Sequence, residues 1–441
     1  MNTIARVKIW STDVGAVTWS DEEGLAYFEY DKQFEKGDWN ISPLLMPVGG
    51  AHRVYSFPSL RRRDPEELNA FNGLPGLLAD SLPDKYGNEL INAWLASQGR
   101  EPDSMNPVEK LCFIGTRAMG ALQFEPVVEI GDSGSFNVSI QSLVDIASEI
   151  LSKRSSFATN LQSKEAAVYK ILSIGSSVGG ARPKAVIAYN EETGDVRSGQ
   201  CDAEPGYEHW LIKLDGVSDA QLGSSHGWGR VEYAYYLMAK ECGVEMMPCR
   251  LYEENGRAHF MTKRYDRVGG AERLHTQTMC AINHMDFNRN QSYSYEQLFQ
   301  IMRQLNLSYP EMEQIFRRMV FNAYARNCDD HTKNHAFIMD KKGQWKLSPA
   351  FDICFAYNPA NHWVSRHALS VNFKRERFTI ADFMAVAKLI NCRRPEAIIA
   401  EVRDVVSHWE DFAAMARVDD GLNKVISEGI MKDVDEVYIK H

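Results

Sequence analysis

Four oxygen-bearing side chains, Asp329, Asp330, Asn334 and Asp352, fall within residues 327–353 of the 441-residue chain, NCDDHTKNHAFIMDKKGQWKLSPAFDI. The run 336–339 reads as a strand, 340–343 as a turn and 345–347 as a return strand. Asn334 and Asp352 are 18 residues apart with Gly343 at their midpoint, so a hairpin closed there folds the amide back opposite the carboxylate. Two oxygen ligands side by side, with a third carboxylate just upstream, suit a hard divalent cation such as magnesium. Phosphoryl transfer needs such a set: one group to orient or deprotonate the attacking hydroxyl, and metal ligands to hold the phosphates.

Asp329 and Asn334 stand as D-x-x-x-x-N, the separation of the catalytic loop of protein kinases, and a further aspartate past a hairpin is where a kinase keeps its main metal ligand. Such a loop needs a helix and strands to hold it. Pro310 opens a helical segment with Met312, Ile315, Phe316, Met319, Val320 and Ala323 on one face, which runs directly into Asp329. Upstream, Arg250-Leu251-Tyr252 and the run 258–262 flank Asn255-Gly256, a strong hairpin signal. The run 261–267, MTKRYDR, leaves that hairpin where a two-lobed kinase would place its adenine hinge.

Further upstream, residues 173–184, SIGSSVGGARPK, put three glycines and three serines in one loop, able to bring backbone N–H groups close to phosphate oxygens. The loop lacks the spacing of a P-loop NTPase. In the strand HWLIKL, 209–214, Lys213 interrupts an apolar run and must reach solvent or an anionic partner such as nucleotide phosphates. The order is thus a strand-rich lobe, a hinge and a helical lobe. Residues 1 to about 128 read as a separate α+β unit of short strands and Pro-interrupted helices, and the end of the chain, 381–441, is helical in pattern.

Composition sets outer limits. Hydrophobic residues make up 44% and charged residues 24%, ordinary for a globular protein. A net charge of −10 argues against broad, sequence-independent DNA binding by this chain. The eight cysteines contain no C-x-x-C pair, which fits reduced thiols in the cytoplasm and no zinc knuckle. No run approaches the ~20 apolar residues of a membrane span, and the first residues carry charges where a signal peptide is apolar.

SSVGGARPK, HWLIKL, TKRYDR, CDDHTKN and LSPAFDI, in that order, resemble the glycine-rich loop, lysine strand, hinge, catalytic loop and metal-binding segment of the HipA family, serine/threonine kinases that are toxins of bacterial toxin–antitoxin pairs. LLADSLPD and IGTRAMGAL resemble that family's N-terminal domain. The resemblance implies an α+β, two-lobed protein-kinase-like fold with an extra N-terminal α+β domain (1–130), a kinase N-lobe (131–265) and an all-helical C-lobe (266–441). It implies ATP and magnesium as cofactors and Asp329 as the catalytic aspartate; Asp330 departs from the family's pattern, standing where a glycine is usual, which puts it in a position to share the base or metal role. Asn334 and Asp352 would bind the metal. Lys184, Lys213, His331 and the loop residues Ser177, Val178, Gly179 and Gly180 would lie at the nucleotide, with His331 orienting the catalytic loop and the backbone of Lys263 and Tyr265 holding the adenine. Ser177, or its neighbour Ser176, matches the loop serine whose autophosphorylation silences the kinase. A translation-related protein substrate of the aminoacyl-tRNA synthetase type, and a HipB-like helix-turn-helix antitoxin that brings the chain to operator DNA, complete the expectation.

Two other readings stay open on the residues alone. His331 and His335, spaced i, i+4, would suit two metal ligands on one helical face of a phosphohydrolase. A catalytically silent kinase fold acting as a co-repressor or binding module is the second.

Overall fold

The structure, a computed structural model, describes residues 4–51, 53–64, 66–128, 135–152, 171–172, 174–175, 182–200, 202–219, 223–430, 432 and 434–435. The chain forms two compact units, the first made of residues 1–229, 249–276 and 339–343, the second of residues 230–248, 277–338 and 344–441.

Among the described residues, the first unit contains two five-stranded antiparallel sheets. Strands β1 (Ile4–Ile9), β2 (Thr12–Ser20), β3 (Leu25–Tyr30), β4 (Val54–Tyr55) and β5 (Leu122–Glu125) pair in the order β4-β3-β2-β1-β5. Their alternation buries Ala5, Val7 and Ile9 on one face of β1, as a half-buried strand requires. At Gly15 a Cβ would lie 2.1 Å from the Glu29 carbonyl oxygen, so only glycine fits where β2 bends against β3. Helices α1 (Lys85–Ser97) and α2 (Pro107–Ile114) follow the proline-broken stretch, α2 opening on a capping box between Asn106 and Glu109.

Helix α3 (Ile140–Ser152) precedes the second sheet, whose strands are β6 (Lys184–Tyr189), β7 (Val196–Ser198), β8 (Glu208–Lys213), β9 (Cys249–Glu254) and β10 (Arg257–Lys263). The order is β9-β10-β8-β6-β7, antiparallel throughout. The Asn255-Gly256 signal holds: both residues take positive φ, 47° and 75°, the handedness of a tight hairpin turn.

Two sequence motifs with no evident connection turn out to clasp one another. After β10, Arg264 and Asp266 form a bidentate pair at 2.8 and 2.6 Å with both side chains buried. The same carboxylate accepts from the Gly120 N–H at 2.6 Å and from Arg267. Arg267 also donates to the carbonyls of Gly120 (3.1 Å) and Ala118 (3.4 Å). IGTRAMGAL therefore holds TKRYDR through one buried aspartate. Burial alone would raise the Asp266 carboxyl, but Arg264 and Arg267 outweigh it and hold the group well below the usual carboxylate range.

The second unit is mainly helical. Most of α4 (Trp228–Glu241) belongs to it, with Tyr235 donating to the Ala325 carbonyl at 2.6 Å. Helices α5 (Tyr295–Gln304) and α6 (Tyr309–Tyr324) each open on a serine capping box, Ser294 with Gln297 and Ser308 with Glu311. The apolar face expected from Met312 to Ala323 is buried. Strands β11 (Ala336–Met339) and β12 (Trp345–Leu347) flank the expected turn, Gly343 at φ 75° closing it with a 2.9 Å bond from its N–H to the Asp340 carbonyl. Helices α7 (Ile380–Leu389), α8 (Pro395–Ser407), α9 (Trp409–Ala416) and α10 (Asp420–Gly429) complete it.

Breaking the Asp266 clasp strands two buried guanidinium groups. Asp266→Ala is expected to cost about 3–5 kcal/mol of stability, read as a lower urea midpoint. A loss under ~1 kcal/mol would show that the clasp is peripheral to the fold.

Candidate functional site

Helix α6 ends at Tyr324, and the chain turns through Arg326 at φ 55° into Asn327-Cys328-Asp329-Asp330. Cys328 N–H donates to the Ala356 carbonyl at 3.1 Å, and Ala356 N–H to the Arg326 carbonyl at 3.2 Å, so the Asp329 loop is laced to the segment that follows Asp352. At the other end of that segment, Arg318 on α6 donates to the Ser348 carbonyl at 2.7 Å, and Ala350 N–H to the Glu245 carbonyl at 2.7 Å.

Asp330 is the anchor of the loop. It is 1% exposed, and its Oδ2 takes bonds from Tyr295 Oη at 2.8 Å and the His367 ring at 3.1 Å. Its Oδ1 takes the Ala368 N–H at 2.8 Å and the Leu369 N–H at 3.4 Å. Asn327 donates to Asn322 (3.0 Å) and Asn322 to Tyr295 Oη (2.9 Å), so a buried chain of hydrogen bonds runs from the loop, through α6 and α5, back to the loop. Burial raises the Asp330 carboxyl, but the His367 ring and the bonds from His367 and Tyr295 outweigh it and hold the group below its ordinary range. The expectation that Asp330 shares the base or metal role is corrected here: its oxygens are committed to four donors and face no solvent.

Asp329 differs. Its side chain is 44% exposed, and His331 Nε2 stands 3.8 Å from its Oδ1. Asn334 donates from Nδ2 to the Asp329 carbonyl at 2.7 Å, which commits the amide nitrogen and leaves the amide oxygen as the ligand end. Asn334 and Asp352 line one indentation together with Asn322, Asn327, Asp330 and His335. Asp352 holds φ 55°, a left-handed conformation that aspartate tolerates better than branched or bulky residues. The hairpin thus brings the amide and the carboxylate to one cavity, as their spacing implied. One amide and one carboxylate form an oxygen donor set, and magnesium, which keeps waters and substrate phosphates in its shell, fits such a sparse pair.

The paired-histidine reading fails on geometry. Residues 332–334 form a single 3-10 turn, and His331 and His335 both have extended backbone, so the two rings share no helical face. Among the described residues no group of three His, Cys, Asp or Glu side chains is placed to hold a metal. His335 is buried beside Tyr295, with ring centroids 5.6 Å apart.

In the first unit, Lys213 on β8 stands directly opposite Lys184 on β6. Lys184 is 3% exposed, and the Lys213 ammonium lies 5.8 Å from the Phe260 ring centroid. Lys263 Nζ pairs with Glu208, and Tyr265 Oη lies 3.4 Å from Thr276 Oγ1. Ser176, Ser177, Val178, Gly179 and Gly180 lie outside the described residues. Sequence reading missed Tyr295, Asn322, Asn327 and His367. Asn322 carried a signal, a polar residue amid the buried positions of α6, whereas nothing local marks His367, which lies 37 residues beyond its partner Asp330.

The family model described as HipA-like C-terminal domain matches residues 176–409, and the HipA N-terminal domain model matches residues 5–125. The chain belongs to the HipA family. No curated protein matches its sequence. Among solved structures, HipA of Shewanella oneidensis MR-1, in a complex with HipB and operator DNA, is similar at TM-score 0.59 and 14% identity, over 96% of this chain and 99% of that one. The Helicobacter pylori proinflammatory kinase CtkA matches at TM-score 0.32 and 13% identity, over 57% of this chain and 94% of that one. The HipA likeness establishes the mixed α+β fold expected from the sequence. None of the described helices is long and apolar enough to cross a membrane.

Two buried histidines give the chain a pH signature. Burial pushes His335 down to about 3 and His284 to about 4. Both rings stay neutral in the folded chain while the unfolded chain protonates near pH 6.5, so stability is full above that pH and is lost as pH falls toward 4 and below. Each ring contributes a slope of about 1.4 kcal/mol per pH unit within the window. Urea midpoints at pH 7.5, 6 and 5 should fall in the native chain, and less steeply in His335→Gln. An unchanged slope would contradict the assignment.

Proposed function

We propose that this chain is an ATP-dependent protein kinase that transfers the γ-phosphoryl group to a serine or threonine of another protein, as a HipA-like toxin. The observation that carries the reading is the convergence of Asn334 and Asp352 on one cavity, with Asn334 bonded to the carbonyl of the part-exposed Asp329. Asp329 orients the acceptor hydroxyl and takes its proton, the one protein-side task that phosphoryl transfer imposes. Asn334 and Asp352 hold magnesium, which neutralises charge on the transferring phosphates when bound. Asp330 keeps the loop in register through Tyr295 and His367.

Lys184 and Lys213, register partners on neighbouring strands, contact the nucleotide phosphates. The backbone of Lys263 and Tyr265 serves the adenine, the loop at Ser177–Gly180 covers the phosphates, and Ser177 or Ser176 takes the self-inhibitory phosphate. The substrate is a translation-related protein of the aminoacyl-tRNA synthetase type. The partner is a helix-turn-helix antitoxin like the HipB found with the Shewanella protein, and it supplies the DNA contact that a chain of net charge −10 lacks. The cytoplasm is the compartment where that partnership operates.

Intact mass after incubation with magnesium and ATP tests this. The native chain should gain one phosphate on a peptide containing Ser176 and Ser177, and Asp329→Gln should gain none while keeping its thermal midpoint. Transfer retained in Asp329→Gln would remove the base role from Asp329, and ATP neither bound nor consumed by the native chain would favour a silent binding module.

A further inference from the structure

The cavity shared by Asn334 and Asp352 has a buried side as well as an exposed one. Asn334 and Asp352 are part-exposed, whereas Arg318, Asn327 and His335, which line the same space, are 2%, 3% and 3% exposed. Among the described residues, each of these three carries a buried polar atom that meets no hydrogen-bond partner: Nε of Arg318, Oδ1 of Asn327 and both ring nitrogens of His335. Each side chain is fixed by other contacts. Arg318 donates through Nη2 to the Ser348 carbonyl at 2.7 Å, and Asn327 through Nδ2 to Asn322 Oδ1 at 3.0 Å. The His335 ring stands edge-on to Tyr295, and its carbonyl takes the Met279 N–H at 2.7 Å.

An unpartnered buried polar atom is destabilising, and folded chains leave few of them. Three such side chains around one space point to a shared partner. The chemistry they ask of it is mixed. Arg318 Nε–H is a donor, Asn327 Oδ1 is an acceptor, and a neutral imidazole brings one of each. The charges are mixed too. The Arg318 guanidinium and the carboxylates of Asp330 and Asp352 line the same cavity, so neither an anion nor a cation is favoured on its buried side. The space is about 10 Å³, room for one water.

We infer that the buried side of this cavity binds one internal water, shared by Arg318, Asn327 and His335, which ties the Asp330 network to the metal ligands. Water is a small ligand that donates and accepts at once, and internal waters typically make about three bonds. Asn327 already joins the chain of bonds through Asn322 and Tyr295 to Asp330. The water extends that chain to the cavity where Asn334 and Asp352 meet. Asn327 and His335 are therefore positioning residues, acting through water on the groups that hold the cation. Outer partners of this kind change metal affinity by about 10–100-fold. The inference rests on the reading of Asn334 and Asp352 as magnesium ligands, and it adds what sets their grip.

Crystal structures of the full chain, with electron paramagnetic resonance of Mn2+ as the probe of the magnesium site, test this in two variants. His335→Phe keeps a flat ring beside Tyr295 and removes both nitrogens, while His335→Gln keeps a donor and an acceptor. The native chain should show one water within hydrogen-bond distance of Arg318 Nε, Asn327 Oδ1 and the His335 ring, retained in His335→Gln and lost from His335→Phe. The Mn2+ dissociation constant should rise about tenfold in His335→Phe and stay within about threefold of native in His335→Gln. At pH 8, His335→Phe should also melt at a lower temperature, because the water's other partners are left unsatisfied. An unfilled space, a side chain or an ion in place of the water, equal Mn2+ affinity in all three chains, or a higher midpoint in His335→Phe would each overturn the proposal. A resident water in a native chain that binds no Mn2+ would fail the magnesium reading itself, and the tie to the metal with it.

Discussion

A single buried carboxylate governs the architecture of the second unit's site. Asp330 draws four donors from two separate places: Tyr295 on α5, and the 367–369 segment, which gives the His367 ring and the backbone N–H groups of Ala368 and Leu369. A buried charge persists only when its surroundings satisfy it completely, because each unmet bond leaves a desolvated anion. That requirement fixes where α5, α6 and the 367–369 segment lie relative to the loop. Asp329, the residue before it, keeps a side chain that is 44% exposed, so the adjacent aspartates have opposite environments.

The hairpin applies the same logic at longer range. The β11–β12 turn returns the chain so that Asp352 and Asn334 line one cavity, and Arg318, through the Ser348 carbonyl, sets the depth of the returning segment. A site built this way is held by buried polar bonds rather than by apolar packing alone. Such networks specify one arrangement when complete and fail together when one member is lost.

Much of this was legible in the sequence. The spacing of Asn334 and Asp352 around Gly343 implied that the hairpin would bring them together, Asn255-Gly256 marked a turn that formed, and the apolar stripe from Met312 to Ala323 gave the helix that leads into the loop. What stayed hidden depends on distant partners. Asp330 looked like a second reactive carboxylate because residue type does not reveal burial, and His367 carries no local mark. The i, i+4 histidines were misleading because tertiary bonds, Thr332 Oγ1 to the Met285 carbonyl at 2.7 Å and the Met279 N–H to the His335 carbonyl at 2.7 Å, hold the segment out of a helix. The clasp between IGTRAMGAL and TKRYDR also joins residues 146 positions apart, beyond any local pattern.

The division of labour between the two aspartates is the central claim, and paired isosteric variants address it directly. Thermal and urea midpoints of Asp330→Asn and Asp329→Asn would be measured beside single-turnover phosphate transfer. Asp330→Asn turns an amide toward donors that need an acceptor, so it should lose about 2–3 kcal/mol of stability and lose transfer only through its displaced loop. Asp329→Asn should keep its stability and lose transfer outright. The reverse pattern, a stable Asp330→Asn without activity beside an active Asp329→Asn, would contradict this account.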